Sequence, residues 1–453
     1  MNISISITRK DYDSLRGHLL GRTPYEEAAI LLTGLCTTEN LIELLVREVV
    51  PVPVDGYLTM GGMYLEIDPE FLAPLIKRCR LEGFSFILAH SHPFSSSVSF
   101  SGIDDAGEER LFEKIQQRVP NIPHGAIVMG HDGVNARVWL PGQHYSQPVD
   151  LFKIVGDKIT KLHLQNSKSW PESDELDLYS RQVLVFGEHG QQLLKGTSVA
   201  VVGVGGIGSQ VYEQLVRLGV GVVIPVDNDV IEESNLTRVV GSLHSDIGRP
   251  KVQVMHELGL RINPDLGGEP LRGSVLHASV AMKLRGVDVI FCCTDNLRSR
   301  VVVNRIAHQY LIPIIDTGVD IQPDPTGAGK IRRIGGRVMP VYPDGPCLGC
   351  LGILTPQLIQ AEIEGESPSY VQGQNVTAPS VVSLNGVVAS LAVTEFLNLV
   401  TGFAQRGTRT YLVYDGMNGL VKACALLPVG DCQLCNEVRA LGDKVPLPCE
   451  LDK

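Results

Sequence analysis

Three groups of residues in this 453-residue chain have types and spacings that could do chemistry. In the first, His90 and His92 flank Ser91 and precede Pro93, and Ser101-Gly102-Ile103-Asp104 follows shortly after. Residues two apart on a strand project from one face, so both imidazoles can reach one metal, with Asp104 as a carboxylate ligand. Three protein ligands on zinc leave a position for water and lower its pKa toward ~7. Hydrolysis then needs a general base, a role that suits Glu27 at the head of Glu27-Ala28-Ala29-Ile30-Leu31-Leu32-Thr33-Gly34, while Ser101 could bond that water or the developing oxyanion. The second group is Gly203-Val204-Gly205-Gly206-Ile207-Gly208, a loop that lets backbone approach phosphates, with Asp227 placed for ribose hydroxyls. A dinucleotide site would end there. This chain continues through Asp229, Asn235 and Arg238, then Lys251, then Asp295-Asn296, the cations and carboxylates that adenylation from a triphosphate requires. The third group, Cys347-Leu348-Gly349-Cys350 with Cys432-Gln433-Leu434-Cys435, has the spacing of a closed, structural four-thiolate zinc site; a redox dithiol would need a reactive microenvironment around each pair.

The elements that must carry these residues read as α/β. Phe84 to Ala89 is an apolar strand bounded upstream by Gly83, and it delivers His90 at its end. Val199 to Val202 reads as a buried parallel strand, Ser209 to Leu218 as a helix, and Val222 to Val226 as a second strand ending in Asp227, which together make a βαβ unit. Gln165 to Asp177 has linker composition. The expected division is therefore residues 1–150, a linker at 151–175, and a second domain at 176–453. A net charge of −11 argues against sequence-independent binding to nucleic acid or to an anionic membrane. Val381 to Phe403 is interrupted by Asn385, Glu395 and Asn398 and reads as a buried helix, not a membrane span. The opening Met1 to Thr8 lacks a basic leader and a long apolar run, so a cytoplasmic protein is expected, its ten cysteines serving as thiols and metal ligands.

The first group resembles the JAB/MPN metalloprotease family: a Glu at the start of a buried segment, His-x-His-Pro, then Ser-x-x-Asp, over about the first 140 residues. The gap from His92 to Ser101 is one residue longer than the family's usual spacing, and Asp105 adjoins Asp104, which leaves the metal-binding aspartate open between the two. The second and third groups resemble the ubiquitin-activating-enzyme superfamily in its ThiF and MoeB branch, from Leu176 to Cys435. That resemblance implies a Rossmann-like adenylation domain with a structural zinc. It sets Gly203, Gly205, Gly206 and Gly208 against the nucleotide and Asp227 on the ribose, with Asp229 beside it. It brings Asn235, Arg238 and Lys251 to the phosphates, and Asp295 with Asn296 to magnesium. Arg181, in Tyr179-Ser180-Arg181-Gln182, would reach the partner subunit's nucleotide in a homodimer. Relatives that form a thioester carry a cysteine in the segment Leu351 to Val376; here there is none, and Cys449 is the mobile candidate that remains. The resemblances imply ATP, Mg2+ and two Zn2+ as cofactors. They imply as partner a ubiquitin-like or sulfur-carrier protein ending in glycine, with a sulfur donor or conjugating enzyme downstream. The expected activity is adenylation of the carrier's terminal carboxylate, coupled to zinc-dependent removal of a tail extension or isopeptide-linked partner. The alternatives are a metal-free first domain that only binds the carrier, and activation of a short peptide carboxylate.

Overall fold

The computed structural model describes the chain apart from residues 23, 63, 94–97, 165–177, 325–328, 365–378, 431 and 451–453. It divides into two compact units, residues 1–169 with 439–446, and residues 170–438 with 447–453.

The first unit runs β1 (Asn2–Thr8), α1 (Arg9–Leu19), β2 (Ala28–Thr37), β3 (Leu41–Pro51), β4 (Tyr57–Met60), β5 (Leu65–Ile67), α2 (Pro69–Glu82), β6 (Ser85–Ser91), α3 (Gly102–Arg118), β7 (His124–Met129), β8 (Val134–Trp139), β9 (Ser146–Pro148), β10 (Leu151–Val155) and β11 (Ile159–His163). One nine-stranded sheet has the order β11-β10-β1-β3-β2-β6-β7-β8-β9. Its central strands are apolar on both faces. Along β2, Leu31 joins Ile5, Leu15 and Phe152 on one side, while Ile30 and Leu32 join Phe86 and Phe112 on the other. Burial on two faces explains why Ala28 to Leu32 is a continuous apolar run and not an alternation.

The expected linker at 151–175 is corrected by this sheet. Leu151–Val155 pairs in parallel with β1 and antiparallel with β11, and Phe152 and Ile154 are buried, so the first unit extends through His163. The rest of that linker, from 165 on, lies outside the described residues. Residues 439–446 also return to the first unit: Asp443 N donates to Leu35 O at 2.7 Å, and Thr37 N donates to Asp443 Oδ2 at 2.8 Å.

The second unit runs α4 (Ser180–Lys195), β12 (Ser198–Val202), α5 (Gly208–Arg217), β13 (Val222–Asp227), α6 (Lys251–Ile262), β14 (Leu271–Arg272), α7 (Ala278–Ala281), β15 (Val289–Cys292), α8 (Leu297–Gln309), β16 (Ile314–Pro323), β17 (Ile331–Val341), α9 (Pro356–Ile363), α10 (Val382–Thr401), β18 (Tyr411–Asp415) and β19 (Leu420–Cys424). Its sheet has the order β14-β13-β12-β15-β16-β17-β18-β19, parallel as far as β16 and antiparallel beyond. From β12 the chain goes to β13 on one side and later enters β15 on the other. Such a switch point leaves a crevice at the carboxyl ends of the two strands, where open α/β sheets bind ligands. Among the described residues one helix, α10, is long and apolar enough to cross a membrane. Here it buries the residues that interrupt its apolar run: Glu395 pairs with Arg406 at 2.7 Å, Asn398 Nδ2 donates to Arg406 O at 3.0 Å, and Asn385 is 2% exposed.

Candidate functional sites

The glycine loop leaves β12 at the switch point. Gly203 has φ +86°, and a Cβ there would lie 2.8 Å from Cys293 O; at Gly208 it would lie 1.8 Å from Gly203 O. Only glycine fits either position, because one needs the left-handed region and the other has no room. Gly206 faces Asn385 Nδ2 and the Arg238 side chain. Asp227, at the end of β13, is held by both oxygens: Val204 N donates to Oδ2 and Asp229 N donates to Oδ1, each at 2.9 Å. Gly206, Arg238 and Asp227 are thus brought together around one loop.

The other expected cofactor residues have more specific occupations. Lys251 opens α6 with its ammonium 2.9 Å from Asp229 Oδ2, so the two form an ion pair. Asn235 is buried, and its Oδ1 accepts from Glu232 N at 3.2 Å, a bond within its own turn. Asn296 is the N-cap of α8, accepting from Ser299 N at 2.8 Å, while Asp295 beside it is exposed. Arg181 is not brought to its own chain's glycine loop. Its helix meets the far end of α5, where Gln182 donates to Arg217 O at 3.2 Å, and a ten-residue helix separates the two ends by ~15 Å.

Sequence reasoning missed the residues that aim this site. Arg300 is 4% exposed; its Nε donates to Asp316 Oδ1 at 2.8 Å and its Nη2 to Thr294 O at 2.6 Å, pinning the peptide that presents Asp295. Asp316 is fully buried and also faces Arg337 Nε at 3.4 Å, so its charge is compensated from two sides. An Arg four residues after an Asn N-cap was the available signal, but its partner lies on β16 and only the sheet pairing brings them together.

Cys347, Cys350, Cys432 and Cys435 cluster with Sγ separations of 3.6 to 3.9 Å. A tetrahedron with ~2.3 Å zinc–sulfur bonds has edges of ~3.8 Å, so the cage fits zinc. Hydrogen bonding within the cluster draws the Cys347 thiol down and, together with burial, pushes Cys432 and Cys435 up, so these thiols titrate together as a group.

In the first unit, β6 and the start of α3 bring His90, His92 and Asp104 together. His90 Nε2 is 3.2 Å from Asp104 Oδ1 and His92 Nε2 is 3.3 Å from Asp104 Oδ2, near the ~3.4 Å edge of a tetrahedron with ~2.1 Å bonds. His90 Nε2 is buried and makes no hydrogen bond of acceptable angle, which also fits a ligand atom. Burial opposes ionisation of Asp104, yet the two imidazoles outweigh it and hold its carboxyl well below the usual range. Between the two candidate aspartates the geometry selects Asp104, because Asp105 turns away to Arg137 Nη1 at 2.6 Å. Ser101 is the N-cap of α3: its Oγ accepts from Asp104 N at 3.2 Å, and its N donates to Asp104 Oδ2 at 2.6 Å. The Ser101 backbone N–H therefore orients the Asp104 carboxylate, while the hydroxyl caps the helix.

The structure places Glu26, and not the expected Glu27, beside His92. Ala28 stands opposite His90 in the antiparallel pairing of β2 and β6, so Glu26 shares the face of His90 and His92 while Glu27 shares that of Ser91. The Glu27 carboxylate lies 3.5 Å from Arg22 and 4.0 Å from His18, whereas Glu26 Oε1 is 3.9 Å from His92 Nε2. Burial lifts the Glu26 carboxyl, against the pull of His92 and with the help of Asp104.

Comparison with known proteins bears on the second unit. The chain is 30% identical over 268 residues to the SAMP-activating enzyme E1 of Haloferax volcanii, covering 59% of this chain and 91% of that protein. It is 29% identical over 268 residues to the molybdopterin-synthase adenylyltransferase of Escherichia coli K12, covering 58% and 97%. Among solved structures, E. coli MccB with ATP aligns at 20% identity and a TM-score of 0.47, over 57% of this chain and 74% of that one. The sequence model of the ThiF family matches residues 179–434, more than half of the chain. With the glycine loop at the switch point and the four-cysteine cluster inside that span, this chain belongs to the ThiF family, and its second unit is a ThiF-type adenylation domain.

Proposed function

We propose that this protein activates the C-terminal carboxylate of a ubiquitin-like or sulfur-carrier protein with ATP, and that its first unit hydrolyses an extension or isopeptide bond to expose that carboxylate. The observation that carries the reading is the glycine loop at the switch point of a ThiF-family domain, with Arg238 against Gly206, and with Asp227 joining the loop to Asp229 and so to its ion-pair partner Lys251. The carboxylate oxygen attacks the α-phosphorus, the bond between that phosphorus and the bridging oxygen breaks, and pyrophosphate leaves, giving an acyl-adenylate. Arg238 and Lys251 meet the charge that develops on the leaving phosphates, and Asp295 is the residue we assign to a magnesium ion, which supplies further charge neutralisation. In a homodimer, Arg181 reaches the partner subunit's nucleotide. The segment Leu351 to Val376 contains no cysteine, so in this reading the product is the adenylate itself, passed to a separate sulfur donor or conjugating enzyme, with a thioester on Cys449 as the alternative.

In the first unit His90, His92 and Asp104 would hold zinc, whose chemistry is Lewis acidity and activation of water near neutral pH. Glu26 takes the proton of the attacking water and returns it to the leaving amine. Ser101 keeps Asp104 in register. The Cys347, Cys350, Cys432 and Cys435 cage would hold a second, structural zinc.

The test is carrier-dependent exchange of pyrophosphate into ATP. Removing one preorganised charge costs about 10²- to 10³-fold, so R238A and K251A should each suppress exchange on that scale. Near-normal exchange in both sinks the assignment.

A further inference from the structure

The turn of α3 that carries Asp104 is gripped by a side chain from another strand, Arg137 of β8. Its Nε donates to Glu108 Oε2 at 2.7 Å and its Nη1 to Asp105 Oδ1 at 2.6 Å. Glu108 lies one helical turn beyond Asp104 on the same side of α3 and is 3% exposed. The same guanidinium stands 3.9 Å from the centre of the Phe100 ring and 5.3 Å from that of Trp139. Phe100 in turn packs against His90, their ring centres 6.2 Å apart. Two residues earlier on β8, Asn135 Nδ2 donates to Val98 O at 3.4 Å. This one strand therefore holds both the segment entering α3 and the helix itself.

Packing alone does not account for this arrangement. A buried charge pair recovers its desolvation cost poorly, and an apolar side chain of similar volume would fill the same space as well. This pair retains little solvent, its side chains being 14% and 4% exposed, and burial lifts the Glu108 carboxyl against the pull of Arg137. What a planar guanidinium adds is orientation, because its fork and its faces fix several partners at once.

We propose that Arg137 is a positioning residue for the His90, His92 and Asp104 centre. It holds Phe100 and the first turn of α3 so that Asp104 presents one oxygen to each imidazole, and it thereby sets the affinity of that centre for a divalent metal ion. The proposal rests on reading the cluster as a metal centre. Partners of this outer kind typically contribute 10- to 100-fold in metal affinity.

The full-length protein, loaded with zinc, is titrated with a chromophoric chelator, and the same protein loaded with cobalt is followed by its visible spectrum. The wild type should hold two zinc ions per chain, and H90Q/H92Q should remove one and so identify it. R137M combined with E108Q, which leaves no buried carboxylate uncompensated because Asp105 is solvent-exposed, should weaken that ion's binding about 10- to 100-fold and shift its cobalt bands, with the four-thiolate ion unaffected. R137K keeps the charge without the fork and should fall between; it decides the question by the same two readouts should the double variant melt earlier than wild type by circular dichroism. Wild-type affinity and an unchanged cobalt spectrum in these variants overturn the proposal. A wild type that holds one zinc, retained by H90Q/H92Q, overturns the metal-centre reading and the proposal with it.

Discussion

Substituting Gly206 by alanine tests the phosphate cradle with ATP alone. The added Cβ would stand 2.3 Å from Asn385 Nδ2 and 3.3 Å from Arg238 Cδ, against ordinary contacts of about 3.5 Å, so Asn385 must retreat by roughly 1 Å. Asn385 has little freedom to do so: it is 2% exposed, and its Nδ2 donates to Ser380 Oγ at 3.0 Å. Overpacking of this kind costs about 1–3 kcal/mol, and the hydrogen bond broken in the retreat costs about 1 kcal/mol more. Expressed in the nucleotide-binding geometry of the loop, roughly 2–4 kcal/mol weakens ATP binding by about 30- to 1000-fold. N385A removes the obstacle at the cost of a small cavity, so the G206A/N385A protein should bind ATP better than G206A. The coupling between the two sites should be about 1–3 kcal/mol. The assay is titration calorimetry with ATP on the four proteins of the cycle, with thermal midpoints recorded alongside. Losses that add within about 0.5 kcal/mol refute the reasoning, because they mean that Asn385 does not close on Gly206.

Two further outcomes follow from the first unit. E26Q should lower cleavage of an isopeptide-linked carrier by about 10²- to 10⁴-fold at unchanged zinc content, whereas E27Q loses its pairs to the 60% exposed Arg22 and to His18 and should change the rate by less than about fivefold; the reverse pattern restores Glu27 as the base. His124 accepts from Phe86 N at 3.1 Å and faces Val119 O at 2.8 Å, and burial pushes its pKa down to about 4 from an ordinary 6.5. The unfolded chain takes up this proton at the higher pH, so the contribution is complete above about 6.5 and is lost as pH falls toward 4, a total of ~3 kcal/mol. Urea unfolding of wild type minus H124Q, followed at Trp139 in a W170F background from pH 7 to pH 4, should show that slope; parallel curves exclude it.

Much of the adenylation site was legible because its signals are local. Gly203, Gly205, Gly206 and Gly208 lie in one short run from the end of a strand to the first residue of the helix that follows it, and Asp227 ends the next strand. The four-cysteine cage was legible from two three-residue spacings, although its halves lie far apart in the chain. What could not be read were the side chains that aim these residues, since Arg300 meets Asp316 and Gly206 meets Asn385 only after sheet and helix packing. The domain boundary was misplaced for a similar reason. The polar stretch after residue 165 was visible, but the apolar alternation Phe152 and Ile154 acquires meaning only beside β1.

The residue types by themselves marked out a His–Asp cluster, a glycine loop and a four-cysteine cluster, because ligand spacing and glycine's conformational freedom are properties of short segments. Tertiary structure decided which atoms take part. Glu26 and Glu27 are neighbours with the same side chain, and the choice between them rests on strand parity and on the register that sets Ala28 opposite His90. Asp104 and Asp105 are likewise separated by the direction in which α3 turns them, one toward two imidazoles and the other toward Arg137. A shift of one residue is invisible in composition, and in a folded strand or helix it moves a carboxylate to a different face.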